Sequence, residues 1–432
     1  MARSLLLRRV QVLRGPDRPL DRADVRIADG RLQAMVPSGS DGAPAGAGEQ
    51  QVIEADHLLL APSLVDPHSV LEQPLCGRAE TLASLLAAAA SGGYGTVALL
   101  PAAEPWRDRP ELLQLPAVEP MRLLPWGAFS CGGDDRVLAP HAELLAAGAV
   151  GLAAGPRMPP TALVEKALRL GETAGQPLLI APRDGTLTGG GLLRERVEAL
   201  RLGWPTDPAL SETLPLQTLL TLAELHPEQR LRLMNLSTHE AVALLRRSAR
   251  GGDDGPTTAG PLCSVCWWHL VADSAGLAPE EEGWRLEPPL GGPSDRQALV
   301  SAVAEGLISA VAVHHRALDS EEQLLPLDQR RPGLAGHGLV LPVLWQQLVV
   351  GAGWSPGQLW QALCWGPCRF LAIPAERLEP GGRRWLLFDP EQSWSQADTP
   401  PTSRAANRPC RTWPLQGRVV ASGLSDPQMW LL

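Results

Sequence analysis

Short apolar runs alternate with stretches of helical spacing along most of this chain. The runs at residues 64–69, 95–100, 122–129, 149–153, 177–182, 231–237, 262–268 and 307–313 read as eight strands. Between most of them, residues 80–91, 161–172, 215–224, 239–250 and 295–305 repeat apolar side chains at the period that lines one helix face. A helix between two strands carries the chain back across the sheet, so the strands it joins run parallel. Eight such units predict an α/β chain closed into a (β/α)8 TIM barrel.

The ends carry a different pattern. Residues 24–27 read as a strand running into Asp29-Gly30, a pair suited to a tight hairpin turn. A Gly/Ala/Pro/Ser-rich loop follows over 37–48, and residues 385–388 and 416–421 read as strands around a Pro-rich connection. The strand–helix alternation of the middle is missing from both ends.

Composition narrows the class. The 432 residues exceed an average domain and suit one large barrel with a small satellite. Hydrophobic content of 44% and charged content of 20% describe a globular chain able to bury a sizeable core. A formal charge of −9 argues against nucleic acid, whose phosphates demand concentrated basic surface. No apolar run has the roughly 18 residues that span a bilayer, and Leu5-Leu6-Leu7 passes straight into Arg8-Arg9, too short for a secretion signal. The expectation is a cytoplasmic protein with no membrane partner. Seven cysteines scattered over a long chain suit reduced thiols. Cys263-x-x-Cys266 invites a zinc reading, but residues three apart in a strand point to opposite faces, which favours buried thiols. The only lysine, Lys166, falls within a helix pattern and so cannot serve as a carboxylated metal-bridging group at a strand end.

The most informative chemistry follows the first run, in Asp66-Pro67-His68-Ser69-Val70-Leu71-Glu72-Gln73-Pro74. This stretch resembles the first-strand metal motif of the dihydroorotase branch of the amidohydrolases, Asp-x-His-x-His-Leu-Arg-x-Pro. The resemblance continues in order along the chain. It includes Arg78-Ala79-Glu80-Thr81, Leu100-Pro101-Ala102-Ala103-Glu104-Pro105, Leu236-Ser237-Thr238 and Glu287-Pro288-Pro289-Leu290. Arg331-Pro332-Gly333 with Gly336, and Asn407-Arg408-Pro409, complete it. It implies a barrel over about 61–375 and a composite β-sandwich-like domain built from 1–60 and 376–432.

The resemblance also implies a reaction, hydrolysis of a cyclic amide C–N bond by a hydroxide held on one or two zinc ions. The ligands stand at the C-terminal strand ends, and an aspartate after strand eight moves the proton. At those positions the chain keeps His68 but has Val70 for the second histidine. Strand four ends in Leu152-Ala153-Ala154-Gly155, without a ligand. Ala181 and Asn235 stand for the histidines of strands five and six, and His314 for the aspartate. On the substrate side, Glu72 stands for the arginine that grips a carboxylate, Ala102 for an asparagine, and Glu287 and Gly291 for the residues flanking Pro-Pro-Leu. The candidate metal position is therefore His68, the candidate catalytic position His314, and the altered substrate pocket Glu72, Ala102, Asn235 and Glu287. Glu72 would repel a carboxylate about 4 Å away by roughly 4 kcal/mol at a surface-like dielectric.

Zinc needs at least three good donors, and His68, His314 and neighbouring His315 fall short of the family set. Two readings of His68 and His314 remain: hydrogen-bonded groups in a filled pocket, or a reduced mononuclear site. No cofactor is expected under the first, zinc under the second. The expected role is a catalytically inactive dihydroorotase homologue of pyrimidine biosynthesis. It would be a homodimer and a structural or regulatory partner of aspartate transcarbamoylase. The alternatives are an active cyclic amidohydrolase with an altered metal site, and a small-molecule sensor using the old pocket. Trp267-Trp268, where the family shows Pro-His, reads as core packing, with a plug in the barrel mouth as the alternative.

Overall fold

The computed structural model describes residues 4–16, 18–39, 51–173, 175–249, 260–276, 285–397 and 401–431. Most of the loop expected over 37–48 lies outside these residues. The middle of the chain forms the eight strands of a parallel barrel. They are Leu64–Ser69, Tyr94–Leu99, Arg122–Pro125 continued by Gly127–Ala128, Leu152–Ala153, Leu178–Ile180, Leu231–Leu233, Leu262–Cys266 and Ala310–Ala312. The first three pair in sequence order, as do the remaining strands from Gly127–Ala128 to Ala310–Ala312. The ring closes between the first and eighth strands, where Val70 N donates to His315 O at 2.7 Å. Leu64–Ser69 and Tyr94–Leu99 are buried at every residue, as expected of strands covered by barrel core on one face and helices on the other.

The helices follow their local signals unless tertiary contacts override them. Thr81 opens Leu82–Ser91 as an N-cap reciprocated by Ser84, which satisfies two otherwise orphaned amides. Its C-cap, Gly92, packs so tightly that an added Cβ would lie 1.9 Å from His337 O. Pro215, the expected opening residue of its helix, instead lies inside Leu210–Leu225. Its first turn contains Ser211 and Glu212, whose side chains are held by buried Arg194, so tertiary contacts start the helix earlier than its apolar period shows. No helix among the described residues is long and apolar enough to cross a membrane.

Both ends of the chain share one seven-stranded sheet. Its order is Leu415–Ser422, Trp385–Trp394, Leu59–Pro62, Ser4–Val12, Asp21–Ala28, Arg31–Pro37, with Gln51–Glu54 also paired to Ser4–Val12. Asp29 and Gly30, both at positive φ, make the two-residue turn between Asp21–Ala28 and Arg31–Pro37. In Ser4–Val12 the register shifts between Leu7 and Val10, which puts Leu5, Leu7, Val10 and Val12 together in a core with Val25, Ile27, Trp385 and Leu387.

Candidate functional site

The C-terminal strand ends bring His68, Asn235 and His314 together. His68 leaves the first strand fully buried, with Nδ1 3.1 Å from His314 Nδ1 and Nε2 2.8 Å from Ser264 Oγ. Ser264, on the seventh strand, also accepts the Asn235 backbone N–H at 3.1 Å. Asn235 and His314 both have positive φ, 54° and 47°, so each strand breaks at these residues. Burial pushes the His68 imidazole well below its ordinary pKa, and neighbouring His314 adds to the effect. Burial likewise lowers His314 to about 4, opposed by Asp66 and reinforced by Arg316. Both rings are thus neutral near pH 7, and a proton between the two Nδ1 atoms lets one donate to the other.

Asp66 sits behind this pair and knits the barrel seam. Its carboxylate accepts Val313 N at 3.0 Å and the Ser69 hydroxyl, and faces His337 Nε2 at 3.0 Å. Ser69 Oγ in turn accepts His315 N at 2.8 Å. His315 stacks beside His337 with ring centroids 5.0 Å apart, and its Nε2 lies 3.2 Å from buried Glu80. Burial would raise Glu80, but His315, Ser403 and Ser84 hold it down to about 2. Ser264 and His337 had no assigned role in the sequence, and Asp66 appeared only as the first residue of the metal motif. That motif was the signal for Asp66, whereas Ser264 between two cysteines carried none.

The other candidates lie in different surroundings. Glu72 is ion-paired to Arg316 at 2.8 Å and Arg331 at 2.9 Å. This corrects the repulsion argument, because its charge is neutralised by two guanidiniums and does not face a ligand alone. Ala102 packs at the edge of an apolar cluster containing Val70 and Leu100. Glu287 stands 3.8 Å from Arg183 Nε, beside a buried network the sequence did not reveal. There Arg183 reaches Asp207 at 2.9 Å, while fully buried Arg194 binds Asp207, Glu212, Ser211 and Ser237. This set ties the loop after strand five to the end of strand six, and its members are too scattered in sequence to form a motif. Lys166 lies exposed on helix Thr161–Leu170. Cys263 donates to Pro261 O at 3.2 Å, burial raises Cys263 and Cys266 to about 12, and neither belongs to a convergent group of three His, Cys, Asp or Glu donors among the described residues. Trp267 and Trp268 are buried in the main core as an edge-to-face pair 5.1 Å apart, the packing role expected of them.

The donors at the strand ends do not fit a zinc ion. His68 presents no open nitrogen, Ala154 and Ala181 supply no ligand, and Asp66 is committed to the seam. Asn235 Oδ1 is buried without a hydrogen-bond partner, but a neutral amide oxygen is a weak zinc donor and does not complete a set of three N, S or carboxylate ligands. Among the described residues, His239, Glu240 and Asp295 do converge closely enough to share a cation. Arg196 Nη2 already serves that purpose, 2.7 Å from Glu240 and 2.8 Å from Asp295. With burial opposing, Arg196 and His239 hold Asp295 down to about 2.

No family model matches the chain. Over 429 residues it is 34% identical to a protein of Synechocystis sp. named "Probable dihydroorotase-like protein", covering 91% of this chain and 94% of the relative. It is 30% identical over 423 residues to a dihydroorotase of Syntrophobacter fumaroxidans, with 96% and 94% covered. A "Dihydroorotase-like protein" of Pseudomonas aeruginosa is 29% identical over 403 residues, at 92% coverage of both chains. Among solved structures, the L-hydantoinase of Arthrobacter aurescens superposes with a TM-score of 0.76 at 16% identity, covering 98% of this chain and 94% of that one. The dihydropyrimidinase of Brevibacillus agri gives 0.75 at 18% identity over the same shares. These two likenesses speak for the fold, a TIM barrel with a β-rich domain.

Proposed function

The chain belongs to the dihydroorotase-like family of the amidohydrolase superfamily, and from that premise we propose that it is a catalytically silent member. One observation carries the proposal: His68, the retained family ligand, spends both ring nitrogens on His314 and Ser264. Activating a water on zinc takes three protein ligands and one open coordination position. Two imidazoles bonded to each other and to Ser264, with Val70 and Ala181 at other ligand positions, do not supply that set. His314 is also a poor stand-in for the proton-shuttling carboxylate, because its buried Nδ1 is spent on His68.

In this reading the barrel is kept for its surface, and the family points to aspartate transcarbamoylase of pyrimidine biosynthesis as the partner, with the chain itself a homodimer. The buried hydrogen bonds among Asp66, Ser69, His315 and His337 close the barrel seam without any role in hydrolysis, which supports a fold maintained apart from its chemistry. The test is metal analysis and a dihydroorotate hydrolysis assay on purified protein, with a pull-down from native extract. The expected result is substoichiometric zinc, no turnover, and co-purification with aspartate transcarbamoylase. Full zinc occupancy with turnover abolished by His68→Ala would instead establish an active enzyme with an altered site. Absence of the transcarbamoylase from the pull-down would end the partnership alone.

A further inference from the structure

A cavity of about 720 Å³ lies between barrel and sheet, and neither His68 nor His314 lines it. Helix Leu82–Ser91, the segment after strand eight and the strand Leu415–Ser422 form its walls. Its volume falls within the range of roughly 300–1,000 Å³ typical of small-molecule sites. Leu86 and Ala90 of the helix, Met121, Leu339, Val419 and Leu424 line it, and all six belong to the main core or pack against it. The cavity is thus a gap at the margin of that core, where close-packed interiors leave few voids larger than a water molecule. Its polar lining is already engaged. Arg418 lies 5.2 Å from the Trp394 ring centre, and neither Arg408 nor Arg418 is without a partner. Ser91 Oγ donates to Ala88 O and lies 3.3 Å from Thr402 Oγ1, while Ser422 Oγ lies 3.3 Å from Ser425 Oγ.

We propose that this cavity binds a neutral small molecule with an aromatic body. An ion would leave water for walls whose arginines and hydroxyls already have partners, and would lose its hydration with little returned. A wholly polar neutral molecule meets the same cost. An apolar body gains instead, because each wall atom that now faces empty space acquires a contact. Rings suit the space better than chains: the Met121 thioether and the Trp394 indole both make favourable contacts with aromatic edges and faces. Since the walls come from barrel and sheet together, an occupant would strengthen the junction between them. This site is independent of the silent-enzyme reading, and lies apart from the His68–His314 pair.

The probe is N-phenyl-1-naphthylamine, compared with 8-anilinonaphthalene-1-sulfonate, which has the same rings and a negative charge. Fluorescence titration of the full chain should give one saturable site for the neutral probe, with the sulfonate binding about ten-fold more weakly. Ala90→Phe and Val419→Phe, which fill the space from opposite walls, should each weaken the neutral probe about ten-fold. Leu200→Glu, on the exposed apolar helix Val197–Leu202, serves as the control for non-specific surface binding and should change nothing. Melting temperature measured on each variant without probe separates lost binding from lost fold. The unaltered chain supplies a second readout: benzophenone, displaced by the neutral probe, should photolabel peptides covering 82–91 or 415–424. Equal or tighter binding of the sulfonate would overturn the neutral assignment. Absence of saturable binding, its loss in Leu200→Glu, undiminished affinity in both cavity variants, or photolabel confined to other peptides would overturn the site itself.

Discussion

His314 shows how burial turns a candidate catalytic group into a determinant of acid stability. The His68 and His314 imidazoles titrate below their ordinary value of 6.5, His314 at about 4, because their surroundings disfavour charge. In the unfolded chain they would take up protons near 6.5, so the unfolded state binds more protons across the interval below. Their contribution is therefore fully present above pH 6.5 and declines as pH falls from 6.5 to about 4. Buried His269, also lowered to about 4, adds to the same window. The carboxylates of Glu80 and Asp295, held near 2, lose their contribution only at lower pH. Urea unfolding midpoints at a series of pH values between 6.5 and 4 should fall, and His314→Asn should flatten the slope. An unchanged slope would mean that this ring is protonated in the folded protein. At this scale the sequence was partly legible. The resemblance located His68, Asn235 and His314, and they do meet. Their partner Ser264 was not legible, nor was His337 behind them on Asp66, since these lie roughly 200 and 270 residues from His68 and only the closed barrel brings them there.

Between elements, the barrel depends on places where backbone meets backbone. Gly92 ends helix Leu82–Ser91 against the segment after strand eight, where a methyl group would overlap His337 O at 1.9 Å. The carbonyl belongs to a residue whose ring is tied to Asp66, so neither side gives way easily. Gly92→Ala should therefore destabilise the protein by about 3 kcal/mol, the upper end of ordinary overpacking. A thermal melt that shifts by less than about 2 °C would show that the seam yields more readily than this geometry implies. The strand–helix alternation was readable because each element's period survives in its apolar positions. Boundaries were less so. The strands end earlier than the apolar runs, because the run continues into core-facing loop residues such as Leu236 and Val313. Helix Leu210–Leu225 begins where Arg194 pins its first turn, and no local period records that contact.

As a whole molecule, the chain divides into a barrel that local pattern predicts and a sheet that it does not. Residues 24–27 and 416–421 look like unrelated short strands in the sequence, and only the family resemblance joined the two ends. The structure places Leu59–Pro62 between Ser4–Val12 and Trp385–Trp394, so each end completes the other's hydrogen bonding. Ending the chain after residue 380 removes two strands and leaves Leu60 and its neighbours on an open edge. That variant should partition into the insoluble fraction on expression. A soluble, cooperatively melting product would show that the N-terminal strands stand on their own.

The same pairing has a consequence for synthesis. On the ribosome, Leu59–Pro62 emerges long before Trp385–Trp394, its antiparallel neighbour in the finished sheet. Translation adds about 5–20 residues each second, so this strand waits tens of seconds with one edge unmatched while the barrel is made. The nascent chain passes through a stage in which the barrel can close but the sheet cannot. Throughout that interval the exposed edge is a surface that chaperones would have to shield from neighbouring chains on the same message.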